Sequence, residues 1–198
     1  HLIEIAEYAL RFFMHTPFAA RRPSPAHAYE EAQLSASAKQ HTGGLMRVNH
    51  AGEVAAQGLY HGQALAIANR QLVEHFQQAA YEEQDHLAWC RERLNDLGTQ
   101  PSYLDGFWYL GSVWLGAIAS LVGEGWSLGF LAETERQVGL HLEHHLAQLC
   151  AEDQRTRAVL QQMHEEEQKH GAEAKAQGAY ALPPILQKLM QFSSKLMT

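Results

Sequence analysis

The sequence is organised around EQDH at residues 83–86 and its echo, EQKH at residues 167–170. On a helix, residues three apart project from one face, so each Glu-x-x-His presents a carboxylate and an imidazole to one point in space. A single motif of this kind is a weak signal. Here each is preceded by another glutamate on a helical stretch, because Glu53 comes thirty residues before Glu83 and Glu135 thirty-two before Glu167. The doubled pattern predicts two metal ions held by two helix pairs.

The helix predicted over residues 71–97 places Glu83 where an apolar core residue is expected. Its apolar stripe is formed by Val73, Phe76, Ala80, Leu87 and Cys90, with Glu83 among them. A carboxylate in such a stripe requires a partner or a metal, and His86 lies on the same side. Asp85 has two interpretations: a surface acid, or a hydrogen-bond partner of a ligating imidazole.

Two later helices, predicted over residues 131–151 and 153–178, leave the choice of acid open. Composition does not choose between Glu133 and Glu135 on the first. On the second, Glu166 stands four residues before His170 and Glu167 three residues before it. The phase of the preceding apolar residues favours Glu167, so Glu166 need not face the core.

The remaining bundle helix is predicted over residues 45–68, after a polar, Gly-rich stretch at 38–44. It is rich in glycine and alanine. Each helical glycine costs about 1 kcal/mol relative to alanine. A cost of that size indicates a requirement for close packing or a cavity along this helix, on which Glu53 also falls.

An uncharged apolar run separates the two halves of the pattern, and its eighteen residues, 106–123, are at the lower limit of a membrane span. Tryptophan and tyrosine near its ends resemble an interfacial belt. We interpret the surrounding stretch, 101–129, as a crossover that either meets a membrane surface or an apolar substrate, or is buried.

The chain ends are predicted to carry short amphipathic helices. Residues 1–14 have helical apolar spacing and are followed by a proline-rich linker, and residues 185–197 have similar spacing. Each helix is either a cap on the core or a membrane contact. We expect an N-terminal region, 1–44, and one globular domain, 45–198. No secretory signal is readable, and because the chain opens on His1 we expect its natural start to be missing.

Charge and composition narrow the class of protein. A net charge of -7 argues against a nucleic-acid partner. Two cysteines are too few for a disulfide framework, so buried free thiols and a reducing compartment are expected. Carboxylates with imidazoles and no paired thiolates suit iron or manganese rather than structural zinc. The predicted fold is all-α, a ferritin-like four-helix bundle with a long apolar crossover and additional short amphipathic helices.

Four segments in order resemble the demethoxyubiquinone hydroxylase family of ubiquinone biosynthesis. They are RVNHAGE at residues 47–53, EQDHL at 83–87, ETE with the following histidine at 133–141, and EEEQKH at 165–170. The resemblance covers residues 45–198. It differs at Leu142, where some members have a tyrosine, and we match no motif within the first forty residues.

The resemblance implies a membrane-associated di-iron monooxygenase, which hydroxylates the ring of a polyprenyl methoxy-benzoquinone with O2 and an external reductant. The six ligands implied are Glu53, Glu83, His86, Glu135, Glu167 and His170. The family's spacing of a glutamate six residues before a histidine selects Glu135 with His141 and suggests His141 as a group behind the ligands. Asp85 is a second candidate for such a group, from its position next to His86. No further catalytic residue and no separate cofactor-binding residue is expected.

The cofactors implied are two iron ions and an external electron donor. The electrons must come from outside because the sequence has no Gly-rich dinucleotide motif and no iron–sulfur cysteine set. NADH is a candidate for the donor. The expected partners are a polyprenyl quinone, a membrane surface, and a reductase or other ubiquinone-biosynthesis proteins, with oligomerisation open. The expected location is peripheral, on the cytoplasmic face of a bacterial inner membrane or the matrix face of a mitochondrial one.

Two other functions compete. One is a ferritin- or rubrerythrin-like protein that oxidises or stores iron without an organic substrate. The other is a metal-free helical membrane adaptor in which the repeated motifs are coincidental.

Overall fold

The computed structural model describes residues 2–197, with side chains through residue 192, and no β-strand occurs in that range. The predictions for His1 and for the side chain of Leu196 fall outside the described residues. The helices are α1 (Leu2–Phe13), α2 (Ala36–Ala66), α3 (Arg70–Asp96), α4 (Asp105–Val122), α5 (Glu124–Gln148), α6 (Gln154–Ala176) and α7 (Pro184–Met197). A 3-10 turn at Pro25–Ala28 precedes α2.

Two helix pairs form the bundle. α2 packs along α3 and α5 along α6, while α2 also touches α5 and α3 touches α6. The crossover α4 joins the pairs and lies against α2, and α1 packs on α4 and α2. The predicted all-α, ferritin-like bundle with an apolar crossover is therefore confirmed.

Two predicted helix boundaries are wrong. α5 begins at Glu124 rather than at residue 131, because α4 ends at Val122 and the chain turns at Gly123, which has a φ of 140°. α2 begins at Ala36 rather than at residue 45, because Ser35 caps it by accepting a hydrogen bond from the Ala38 amide. Within this first part of α2, Thr42 and Gly43 are buried, so the helix is stabilised by packing where its sequence appeared unfavourable. The division of the chain after residue 44 stays a prediction, and that position lies inside α2.

Gly58, Gly62 and Gly116 set the close approach of α2 and α4. A Cβ atom at Gly58 or Gly62 would overlap the backbone carbonyl of Tyr109 or Val113, and one at Gly116 would overlap that of Leu59. The glycine-rich composition thus serves backbone contact between these two helices.

Apolar side chains fill the bundle in two clusters. One contains Tyr60, Phe76 and Leu131, and the other contains Met46, Trp89 and Met163. On all four bundle helices, the acids predicted as ligands fall in sequence between the members of these two clusters. The middle of the bundle is therefore polar.

The crossover is not purely buried, so that interpretation of it is wrong. Trp114 and Leu121 of α4 are 71% and 77% exposed, and Phe107 lies edge-on to the exposed Phe13 ring of α1, with centroids 5.3 Å apart. The outer sides of α1 and α4 thus form one apolar surface. Within residues 2–197, we find no helix with both the length and the hydropathy to cross a membrane. Both cysteines are free; Cys90 is buried and Cys150 half-buried.

Candidate metal centre

Six side chains from the four bundle helices meet in the polar middle layer. They are Glu53 of α2, Glu83 and His86 of α3, Glu135 of α5, and Glu167 and His170 of α6, and none is more than 2% exposed. These are the six residues that the sequence and the family resemblance predict. Their role as metal ligands stays a prediction.

The six form two overlapping groups. In one, donor atoms of Glu53, Glu83, His86 and Glu167 all lie within 4.8 Å of one another, and in the other the same holds for Glu83, Glu135, Glu167 and His170. Glu83 and Glu167 belong to both groups. Two positions that share two carboxylates are the arrangement expected of a dinuclear centre with bridging acids.

Several side-chain oxygen and nitrogen atoms of this cluster lack hydrogen-bond partners. Buried side-chain atoms without a partner include Glu83 Oε1, Glu135 Oε2, both Glu167 oxygens and His170 Nδ1. Buried polar atoms are normally satisfied, and an absent ion is one accepted reason when they are not. Four carboxylates would also balance the charge of two divalent cations. The residues present therefore fit a pair of oxygen- and nitrogen-bound metal ions.

Each histidine turns Nδ1 toward the cluster and Nε2 away from it. His86 Nδ1 lies 3.1 Å from Glu83 Oε2, and His170 Nδ1 lies 3.3 Å from Glu83 Oε1. On the far side, His86 Nε2 is 2.7 Å from Glu166 and His170 Nε2 is 3.0 Å from Glu82. A carboxylate at Nε2 keeps the proton there, so the Nδ1 lone pair is available to a metal.

The structure separates Glu135 from Glu133, a choice that composition leaves open. Glu135 lies in the cluster and accepts a hydrogen bond from the Tyr60 hydroxyl at 2.6 Å. Glu133 instead pairs with Arg136 and Gln137 of its own helix, at 2.6 and 2.7 Å. Glu135 is the acid that geometry makes available, in agreement with the resemblance.

Because the buried acids are close together, their pKa values are shifted in opposite directions. Burial, and then the neighbouring Glu83, raise the pKa of Glu53 well above its usual value, and burial with Glu167 does the same for Glu135. Burial is the largest single influence on Glu83 and opposes its ionisation, but the charge on His86 and the hydrogen bonds with His170, His86 and Glu53 together outweigh it, so the pKa of Glu83 is lowered. The metal-free cluster thus keeps protons that bound cations would displace.

Asp85 and Glu166 differ from the sequence interpretation. Asp85 is 2% exposed rather than a surface acid, and it accepts hydrogen bonds from the Arg21 amide and the Arg22 guanidinium, both at 2.6 Å. Glu166, expected to be free of the core, is the acid on His86. Asp85 is linked to that imidazole through Arg22 and Glu166, and any function for it at the metal site stays a prediction.

An apolar cavity of about 150 Å³ lies beside the cluster, between α2, α4, α5 and α7. Its walls include Gly52 and Thr134, which are the sequence neighbours of Glu53 and Glu135. Polar groups are also present in the wall, from Gln137 and His141. The His141 ring stacks on His145 with centroids 6.1 Å apart; the prediction that it supports a ligand stays untested.

A polar cleft lies between α3 and α6, and it opens over the other side of the cluster. Arg22, Glu82, Asp85, Glu166 and Lys169 are among its lining residues. Glu82 and Glu166 separate this cleft from the two histidines. The centre is thus bordered by an apolar cavity next to α2 and α5, and by charged groups next to α3 and α6.

Sequence reasoning missed three groups at the site: Tyr60, Glu82 and Glu166. A signal for two of them was present, because each motif is in fact Glu-Glu-x-x-His, at residues 82–86 and 166–170. In both repeats the first glutamate contacts the histidine of the other repeat. No comparable pattern marks Tyr60.

Fold and site together define a ferritin-like helical bundle with a buried carboxylate–histidine cluster. Residues 40–198 match the family model described as "Ubiquinone biosynthesis protein COQ7". This match covers most of the chain, and the chain belongs to that family.

Curated relatives agree with this assignment. A protein of Legionella pneumophila (strain Corby), named 3-demethoxyubiquinol 3-hydroxylase, is 54% identical over 177 residues, which cover 89% of this chain and 83% of that protein. A protein of the same name from Acinetobacter baumannii is 49% identical over 197 residues, covering 100% of this chain and 93% of its own length.

A solved structure supports the fold. The dodecameric thioferritin, a bacterioferritin-related protein from Bacteroides fragilis, superposes with a TM-score of 0.57 at 16% identity, over 81% of this chain and 92% of that one. At this identity the likeness concerns the bundle alone.

Proposed function

We propose that this chain is a di-iron monooxygenase that hydroxylates the ring of a polyprenyl methoxy-benzoquinone, or of its quinol, in ubiquinone biosynthesis. The names of its relatives support the reaction class. The observation that carries the proposal is an apolar cavity of about 150 Å³ whose walls include Gly52 and Thr134, the sequence neighbours of the cluster acids Glu53 and Glu135. Storage of iron needs no such cavity.

The metal ligands in this proposal are the six clustered residues, with Glu83 and Glu167 shared between two iron ions. The bound pair would supply dioxygen reduction coupled to insertion of one oxygen atom into the ring. The ring hydrogen is replaced by hydroxyl and the second oxygen atom leaves as water, which requires two electrons and two protons. An external reductant of the NADH class or a reductase partner must provide the electrons.

The cavity has room for the ring but not for a long tail. A cavity of about 150 Å³ accommodates a ring the size of benzene. Leu115 of α4 and Met190 of α7 lie at its edge, and Leu115 is 52% exposed. The prenyl tail therefore leaves between these helices, along the apolar surface of α4.

That surface is the basis for a membrane-peripheral location. Besides Trp114 and Leu121, it exposes Leu2, Ile3, Phe13, Phe107, Ile118 and Val122. An apolar patch of this extent on a charged protein is typical of a binding surface. We place it on the leaflet that carries the quinone, at the cytoplasmic face of a bacterial inner membrane or the matrix face of a mitochondrial one. The proposal also includes oligomerisation of the chain and its association with other proteins of ubiquinone biosynthesis.

The test is oxygen consumption by iron-loaded protein with reductant, with and without a short-chain demethoxyubiquinone analogue. We expect the quinone to stimulate consumption and a hydroxylated product to form. Consumption that is independent of the quinone, with accumulation of a ferric mineral core, would favour iron storage instead. Protein that retains less than about one metal per chain after iron supplementation would favour the metal-free adaptor.

A further inference from the structure

The segment between α1 and the 3-10 turn packs on α3 and contacts Asp85 and Glu166, which are sequence neighbours of the proposed metal ligands His86 and Glu167. We define it as residues 16–24 and call it the N-terminal segment. It is tied to successive positions of α3, where the Gln84 amide donates to the Ala19 carbonyl at 2.9 Å and the Trp89 indole donates to the Arg22 carbonyl at 3.2 Å. It precedes the region matched by the family model, which begins at residue 40.

Arg22 is the residue through which this segment reaches the centre. Its guanidinium donates to both oxygens of Glu166, at 2.6 and 2.9 Å, and to Asp85 Oδ2 at 2.6 Å. It also lies over the Trp89 ring, 4.9 Å from the centroid. A planar guanidinium held on two sides fixes a carboxylate in one orientation, which an ammonium group does not do.

Glu166, held in this orientation by Arg22, is hydrogen-bonded to His86. Its Oε2 atom accepts the hydrogen bond from His86 Nε2 at 2.7 Å, and Gln162 donates to its Oε1 at 2.7 Å. Glu166 borders the polar cleft. Without the two bonds from Arg22, only Gln162 and His86 itself would keep its side chain from turning toward water there.

From this chain of contacts we propose that Arg22 is a positioning residue of the metal centre, which holds Glu166 so that His86 presents Nδ1 to the metal beside Glu53. This inference rests on the proposed metal ligands. The corresponding acid on His170 is Glu82, whose cationic neighbour is Lys169 at 3.7 Å rather than a bidentate arginine. The effect of Arg22 is accordingly specific to the half of the centre that contains His86.

The test uses the full, metal-stripped chain titrated with Co²⁺, followed by the visible absorption of the bound ion. We expect Arg22→Gln to weaken one of two binding steps by roughly tenfold, the lower end of the range for groups behind metal ligands. We expect the absorption spectrum of the ion bound in that step to change and the affinity of the other step to stay the same. The control is Arg21→Gln, which removes the same charge from the adjacent residue, whose guanidinium lies over the Tyr81 ring.

Two more variants separate positioning from a general loss of structure. Arg22→Lys keeps the charge but not the two-pronged contact, so it should restore less than full affinity, and it provides the measurement if Arg22→Gln does not fold. In a Glu166→Gln background, Arg22→Gln should add little, because both act through the same carboxylate.

Three results would overturn the inference. Affinities and spectra of Arg22→Gln that equal those of the unsubstituted chain would show that Arg22 does not act on the centre. Equal losses in both binding steps, or an equal loss in Arg21→Gln, would show that the effect is not specific to Arg22 and the half of the centre that contains His86. Failure of the unsubstituted chain to bind two ions would be a different result, because it would remove the proposed metal centre itself.

Discussion

Glu166 of α6 bonds the Nε2 atom of His86 on α3, while Glu82 of α3 bonds the Nε2 atom of His170 on α6. The two Glu-Glu-x-x-His repeats thus support each other crosswise: each contributes a cluster acid, a cluster imidazole, and a carboxylate behind the imidazole of the other. This exchange requires α3 and α6 to be in contact, as they are. It makes the relative rotation of these two helices a determinant of metal affinity.

Removal of either supporting acid should impair one half of the centre. We expect Glu82→Ala to weaken metal binding at His170 and Glu166→Ala at His86, each by about 10- to 100-fold, because the imidazole loses the group that fixes its tautomer. Calorimetric titration with Mn²⁺ measures both steps. Glu165→Ala, which removes an exposed acid from the same turn, is the control. Equal losses in all three variants would contradict the crosswise arrangement.

Filling the apolar cavity should block the quinone without affecting the metal. Ala55 is one of its lining residues, and the phenyl ring of Ala55→Phe would occupy the space proposed for the substrate ring. We expect KM for a quinone analogue to rise roughly tenfold or more, with unchanged iron content. Ala147→Phe adds the same ring at an exposed site of α5 and should leave KM as it is. An unaltered KM in Ala55→Phe would place the substrate elsewhere.

Because α2 and α4 are in close contact, substitution of glycine by alanine should change the stability of the protein in opposite directions at Gly62 and Gly111. Gly62→Ala forces a methyl group against the Val113 carbonyl and should lower the free energy of unfolding by about 1–3 kcal/mol. Gly111→Ala meets nothing within 4 Å and should raise it by up to about 1 kcal/mol. Urea denaturation distinguishes them. A Gly62→Ala variant as stable as Gly111→Ala would mean that the helices are further apart.

His61 should make the protein sensitive to acid. Burial lowers the pKa of His61 from 6.5 to about 4, and its ring is bonded on both sides, to the Tyr109 hydroxyl at 2.7 Å and the Gln57 amide at 3.2 Å. Its neighbours Tyr8 and Tyr109 are neutral throughout this range, because an ordinary tyrosine has a pKa near 10 and burial raises the pKa of both further.

The sign follows from proton uptake. Between pH 6.5 and about 4 the unfolded chain protonates this histidine and the folded chain does not, so stability decreases as pH falls, by up to ~1.4 kcal/mol per pH unit. We expect His61→Gln, compared with the parent in metal-free form by urea denaturation, to flatten this slope. Parallel slopes would show that the His61 ring is already protonated or exposed in the folded protein.

Two of the cluster acids could be predicted from the sequence because helical spacing is local, whereas Glu135 was selected by the family resemblance. Glu83 and Glu167 lie three residues before a histidine and in phase with apolar neighbours, so their direction follows from the sequence of one helix. The partners of Glu166 could not be found in this way, because its contacts depend on how α3 and α6 face each other. The sequence shows two adjacent glutamates in each motif, but the contact made by the first glutamate depends on how α3 and α6 pack together.

The N-terminal segment was beyond prediction for a different reason. It has no periodic pattern, and its position is determined by separate hydrogen bonds to α3, including that of Arg21 to Asp85. The early start of α2 was missed because Gly43 and Gly44 argue against a helix locally, whereas packing of Thr42, Gly43 and Met46 stabilises one. In both cases tertiary contacts determine what local propensity does not.

The most direct test of the proposed function is the source of the oxygen atom in the product. Iron-loaded protein, reductant and a demethoxyubiquinone analogue are incubated under ¹⁸O₂, and the quinone is analysed by mass spectrometry. The account predicts a hydroxylated ring that carries one labelled oxygen, with none formed by the Glu167→Ala variant. Unlabelled product, or equal product from that variant, would contradict oxygen insertion at the centre formed by Glu83 and Glu167.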